Sequence, residues 1–204
     1  MKMQGITLKL GPAEKKRLRS LLTKKGRMQY NQFLAEGVRL LEESLRFDFL
    51  PTGLYYSQAE LNDRGMKLIK LYQERGINCQ EIAARDIRQL SDTETSQGLI
   101  GLFNIPQCRP GEISGGTFQK ILLLDRVSDP GNAGVLIRSA LAFDFNLVLG
   151  TDETVDLYNP KVVRSSVGAI FGIPVCSGSP EDVAILKKNQ NYAIIITDPR
   201  GGAY

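Results

Sequence analysis

The 204-residue chain contains no histidine, and that absence removes whole classes of chemistry. Ser–His–Asp and Cys–His nucleophilic machinery, imidazole general bases and His-ligated metals are all excluded. The three cysteines, Cys79, Cys108 and Cys176, form no CxxC pair, so no zinc knuckle or thioredoxin motif is available. They read as three reduced thiols, and no metal site is expected. Long apolar runs are missing too. The longest, 121–124 and 192–196, fall far short of the roughly 20 residues a membrane helix needs. Residues 1–10 lack the apolar core of a secretory signal. The expectation is a cytoplasmic protein without membrane contact. Any catalysis must run on carboxylate, Arg, Lys, Ser, Tyr or a bound cofactor.

What is present suits a folded protein. With 42% hydrophobic and 24% charged residues, the chain is neither a disordered, a collagenous nor a disulfide-scaffold sequence. Its length suits one domain or two small ones, at roughly 100–200 residues per domain. The net charge of +4 conceals an asymmetry. Residues 1–27 hold nine basic side chains and one acid, Glu14, whereas the rest of the chain is net acidic. A basic arm on an acidic body is the footprint of a polyanion binder, because each neutralised phosphate releases counterions. Lys15, Lys16, Arg17, Arg19, Lys24, Lys25 and Arg27 are the candidate phosphate contacts. A solvated lysine-rich helix is the plainer alternative. Pro12 suits a first helical turn, and Leu18, Leu21 and Leu22 recur at helical spacing, so the arm reads as a short helix.

The remaining pattern alternates strands and helices, which predicts α/β layers around largely parallel sheets. Helices are expected over 31–46, 62–75 and 83–90, with strands over 54–57, 77–79 and 99–103. Residues 104–116 carry two prolines and three glycines with no apolar period, and read as an interdomain linker. Beyond it, strands are expected over 118–124, 147–149, 173–176 and 192–197, separated by helices over 132–143, 160–171 and 180–188. The domain division is therefore a basic arm over 1–27, a first domain over 28–104, a linker over 105–117 and a second domain over 118–204.

Ligands of open parallel sheets bind in loops at the carboxyl ends of strands. The first such loop of the second domain runs from Asp125 to Gly134. It lacks GxGxxG and the Walker pattern, so neither common nucleotide fingerprint is present. It carries instead a Pro-Gly turn and then Asn132, which reads as a helix N-cap. On that helix Ala133, Leu136, Ile137, Ala140 and Leu141 fill one arc. Arg138 falls off it, facing solvent or ligand near the helix N-terminus. A plain surface arginine is the competing reading. A second loop brings Lys161, Arg164, Ser165, Ser166 and Gly168 to the start of the next helix, which suits a phosphate or a closely packed helix pair.

The strings DRVSDPGNAGVLIRSALAF and NPKVVRSSVGAIFGIPV resemble motifs 1 and 2 of the SpoU/TrmH family of RNA ribose methyltransferases, in the SPOUT superfamily. GRMQYNQFLAEGVRLLEESL and TSQGLIGLF look like the start and end of that family's N-terminal substrate-binding domain. The resemblance covers essentially the whole chain. It implies an α/β protein: an N-terminal ribosomal-protein-like α/β/α substrate-binding domain and an α/β methyltransferase domain of the trefoil-knot type. The implied activity is S-adenosylmethionine-dependent RNA 2′-O-ribose methylation by a homodimer, on ribosomal RNA in preference to tRNA. A non-catalytic RNA-binding protein that keeps only the scaffold is the alternative. By resemblance, Asn132 and Arg138 are the catalytic pair at the reacting ribose. Thr197, Asp198, Gly201 and Gly202 lie in the loop that begins the cofactor pocket, and Arg164 faces RNA. Asp144 stands where the family often has glycine, a change expected to alter a helix end only. Family members continue past this point into a third motif that threads the knot, whereas the sequence ends at Tyr204. The expectation is a fragment with an incomplete methyltransferase domain, itself inactive.

Overall fold

A computed structural model describes residues 10–93, 95–108, 120–190 and 192–197. The first half contains α1 (Pro12–Ser20), α2 (Lys24–Tyr30), β1 (Gln32–Glu36), α3 (Val38–Arg46), β2 (Gly53–Tyr56), α4 (Asp63–Glu74), β3 (Cys79–Glu81), α5 (Ala84–Leu90) and β4 (Leu99–Asn104). The strands form one sheet in the order β1-β4-β2-β3. β4 runs antiparallel to both β1 and β2, and only β2 and β3 are parallel. The expected largely parallel sheet is thus corrected to a mixed one. β4 has five successive buried residues, as a strand covered on both faces must. Leu99 and Phe103 pack to one side, with Phe33, Leu41, Ile69 and Tyr72. Ile100 and Leu102 pack to the other, with Leu18, Leu21, Tyr55 and Ile87.

Two expectations in this half change. Residues 31–46 are not one helix but β1 followed by α3, and the break is Gly37 at φ 113°, a conformation open chiefly to glycine. Phe33, Leu34 and Ala35 are all buried because β1 is covered on both faces. The basic segment is also not a separate arm. Leu18 and Leu21 are fully buried in the core, and α2 runs across position 27.

The second half contains β5 (Ile121–Leu124), α6 (Pro130–Ala142), β6 (Leu147–Thr151), α7 (Pro160–Ser165), a 3₁₀ turn (Ala169–Phe171), β7 (Val175–Gly178) and α8 (Pro180–Gln190). Its sheet, β5-β6-β7, is parallel throughout, with helices in the connections. The helix expected over 160–171 stops early, because Val167 (φ 52°) and Gly168 (φ 92°) both leave the right-handed region. The strand expected over 192–197 is absent. Among the described residues, 193–197 join neither sheet, and Ile194, Ile195 and Ile196 are 53%, 89% and 72% exposed. A run of isoleucines favours a strand, but a strand exists only through its partner.

One apolar core runs through both halves. The Phe33 ring lies 4.8 Å from Tyr158 and 6.4 Å from Phe171, and Phe103 lies 5.0 Å from Phe171. A Cβ on Gly168 would sit 2.4 Å from Glu43 Cβ, and one on Gly172 would sit 2.6 Å from the Phe47 ring. Helix α3 therefore lies directly on the 3₁₀ turn. The expectation of three reduced thiols is corrected: Cys108 and Cys176 form a disulfide, with Cα atoms 5.6 Å apart. Spacing of 68 residues gives no sign of that proximity. Cys79 remains free, and burial pushes its thiol up to about 11. No helix of the described residues is long and apolar enough to cross a membrane.

Candidate functional site

The loop after β5 is knitted to the loop after β6. Thr154 Oγ1 donates to Leu124 O at 2.7 Å, and Val155 N donates to Val127 O at 2.9 Å. Thr151 Oγ1 donates to Asp125 Oδ1 at 3.1 Å and accepts from Arg126 N at 3.3 Å. Thr151 and Thr154 thus spend their hydroxyls on holding this loop in place. The loop enters α6 at Asp129, whose side chain caps the helix by accepting from Asn132 N at 2.7 Å. The expected cap at Asn132 is therefore displaced three residues. Asp-Pro at N-cap and first turn is the signal that locates it. Freed from capping, the Asn132 side chain is exposed at the helix mouth.

Helices α6 and α7 meet at a glycine. A Cβ on Gly134 would lie 2.0 Å from Ser165 Oγ and 2.7 Å from Val162 O, so any side chain would force the helices apart. Ser165 Oγ lies 2.7 Å from Lys161 O and 3.1 Å from Pro130 O, which puts the two loops in hydrogen-bonding reach of each other. Asn159 caps α7 by accepting from Lys161 N at 2.9 Å. Arg138 is exposed on α6, and no salt bridge among the described residues engages it. Lys161 and Arg164 are exposed on α7. Arg164 pairs with Asp92 at 3.3 Å, an exposed contact worth little energetically. An exposed asparagine and three exposed cations thus share one helix pair. This is a surface suited to a sugar–phosphate backbone.

The structure sorts the basic residues of the first segment. Lys15 is paired with buried Asp86. Arg17 donates to Gln32 Oε1 at 2.6 Å and Glu14 Oε1 at 3.1 Å, and lies 5.9 Å from the centre of the Tyr30 ring. The Tyr55 hydroxyl, 2.7 Å away, and then Arg17 hold the Glu14 carboxyl below its ordinary range against a smaller opposing effect of burial. Lys16, Arg19, Lys24 and Lys25 are exposed. Arg27 is the correction: it is 2% exposed and bound to Asp156, so it cannot meet a phosphate. Sequence reasoning missed Asp156, because no local signal links residues 129 positions apart.

Of the expected cofactor residues, Thr197 is exposed, and Asp198, Gly201 and Gly202 lie outside the described residues.

Residues 119–204 match the family model of the SpoU rRNA methylases, and residues 14–101 match that of the MRM3-like substrate binding domain. The chain is 34% identical over 157 residues to the 23S rRNA (guanosine(2553)-2′-O)-methyltransferase RlmP of Bacillus subtilis, covering 77% of this chain and 58% of that protein. It is 33% identical to the mitochondrial rRNA methyltransferase 3 of Xenopus tropicalis, covering 82% and 41%. The chain thus spans about half the length of the curated relatives it matches. Among solved structures, the AdoMet-bound rRNA methyltransferase of Sinorhizobium meliloti superposes with a TM-score of 0.72 at 26% identity, over 89% of this chain and 68% of that one.

Proposed function

Because the chain belongs to the SpoU rRNA methylase family, we propose that it serves as an S-adenosylmethionine-dependent RNA 2′-O-ribose methyltransferase acting on ribosomal RNA. The carrying observation is the Gly134–Ser165 contact, which locks helix α6, bearing Asn132 and Arg138, against helix α7, bearing Lys161 and Arg164. In this reading, residues 28–104 bind substrate RNA, with help from the cations before them. Residues 118–204 carry the chemistry, and 105–117 connect the two. The working form is a cytoplasmic homodimer, and exposed Val135 on α6 and Phe143 just after it support a partner surface.

When bound, S-adenosylmethionine supplies an electrophilic methyl group. The chain's part is to prepare the ribose hydroxyl. Asn132, exposed at the mouth of α6, hydrogen-bonds and orients the ribose. Arg138 lies on the same helix and holds the adjacent phosphate through its planar fork. Arg138 stabilises the alkoxide as negative charge develops, and the hydroxyl proton leaves to solvent. In-line attack makes positioning the main source of acceleration.

The test is transfer of labelled methyl groups from S-adenosylmethionine to ribosomal RNA transcripts by this chain extended through the family's third motif, with and without Arg138→Lys. Lysine keeps the charge and loses the fork. Turnover should fall on the order of a hundredfold, as for loss of one transition-state donor, while RNA affinity stays nearly constant. Full turnover by the variant would remove Arg138 from the chemistry. Specific RNA binding with no transfer by the extended protein would favour the non-catalytic alternative.

A further inference from the structure

Helix α2 is held to the protein in an unusual way. Of its seven residues only Gly26 and Arg27 are buried. It contributes no apolar side chain to the core; Arg27 is its one buried side chain, and Tyr30 adds an exposed contact with Arg17 of α1. Gly26 adds a close backbone contact, since a Cβ there would lie 2.0 Å from Ser20 O. The outer face carries Lys24, Lys25, Met28 and Tyr30, all exposed, with Met28 at 72%.

The anchor reaches the other half of the molecule. Arg27 Nε donates to Asp156 Oδ2 at 2.8 Å, a second guanidinium nitrogen donates to the same oxygen, and the third donates to Leu21 O at 2.7 Å. Asp156 Oδ1 accepts from Tyr158 N at 3.0 Å. One residue earlier, Val155 N donates to Val127 O in the loop that leads to Asp129 and Asn132. A short hydrogen-bonded path therefore joins α2 to the candidate active-site loop. Burying an arginine is costly unless its donors are met, and here each nitrogen is.

We propose that Arg27 is a positioning residue: its ion pair with Asp156 fixes the cationic face of α2 in register with the loop that leads into α6 and Asn132, so that one RNA engages both. The inference rests on the RNA methyltransferase reading. An RNA spanning α2 and the α6–α7 surface binds at two linked sites. Its affinity then depends on how rigidly they are held relative to one another. The apolar core fixes the two halves but does not reach α2. The ion pair does.

The test uses the whole chain with Arg27→Met/Asp156→Asn, which removes both charges and leaves an oxygen to accept from Tyr158 N. A fluorescein-labelled RNA stem–loop is titrated across a salt series, with thermal unfolding in parallel. The variant should unfold near the unaltered temperature, because a buried pair replaced by neutral groups costs little. RNA affinity should fall roughly tenfold, within the coupling seen in one hydrogen-bonded network. The slope of log affinity against log salt should not move, because neither residue meets a phosphate. An unchanged affinity overturns the proposal, and so does a flatter slope. If the double variant unfolds early, Arg27→Lys decides by the same readings. A chain that binds no RNA in its unaltered form overturns the functional reading as well, so the two failures are distinguishable.

Discussion

Asp144 shows how much a single position can disclose. It follows the last residues of α6 at φ 56°, in the left-handed region that favours glycine. The family's usual glycine there is thus explained by backbone geometry, and the sequence was enough to place the effect at a helix end. Replacing Asp144 with Gly should stabilise the protein by roughly 1 kcal/mol, read as a higher midpoint in urea. A lower midpoint would mean that the aspartate makes a compensating contact. Asn132 discloses less. Read alone it was a plausible cap, and only the bond from its backbone N–H to Asp129 shows the helix starting earlier. Arg138 was placed on the solvent side by helical periodicity, and the structure has it exposed. Arg27 looked identical to its basic neighbours, because a buried ion pair between distant residues leaves no mark on either segment.

Among the elements, those with a clear period were legible and those decided by distant partners were not. α4 and α5 occupy nearly the expected spans, since each has an apolar stripe and a terminator. β1 does not show as a strand in the sequence because its buried run, covered on both faces, does not alternate. The isoleucines after α8 failed as a strand for the converse reason: strong local preference and no pairing. α1 and α2 bear on RNA binding. Deleting residues 1–27 would strip Leu18 and Leu21 from the core and confuse binding with unfolding. Neutralising Lys16, Arg19, Lys24 and Lys25 to glutamine avoids this. The slope of log affinity against log salt should then flatten by up to roughly 3, at about 0.7 per phosphate on single-stranded RNA. An unmoved slope would reduce these helices to a solvated face.

The whole molecule behaves as one body because aromatic rings from both halves share a core. Several buried acids set its alkaline limit. Burial raises Tyr72 to about 12, although its Ser44 bond works the other way, and raises Cys79 to about 11. Burial also raises Tyr55 and Tyr158, helped in Tyr55 by Glu14 and in Tyr158 by Asp156. Each folded value lies above the unfolded one, so the unfolded chain loses protons first as pH rises. Stability is full below about pH 9 and should fall from there upward, in a single transition seen together by circular dichroism and tyrosine absorbance. Separate transitions would show that the halves unfold independently. The disulfide adds a consequence of another kind. Cys108 lies near the start of the connecting segment and Cys176 well beyond its end, so the peptide backbone is not the only bond between the halves. A protease site inserted between Cys108 and Lys120 would, once cut, leave two polypeptides that still migrate as one species in detergent without reductant. Thiol would resolve them into two bands. Two bands before thiol would show that the bridge had not formed. Severing its own string would not divide this protein; it would turn one chain into a covalent heterodimer with the same core.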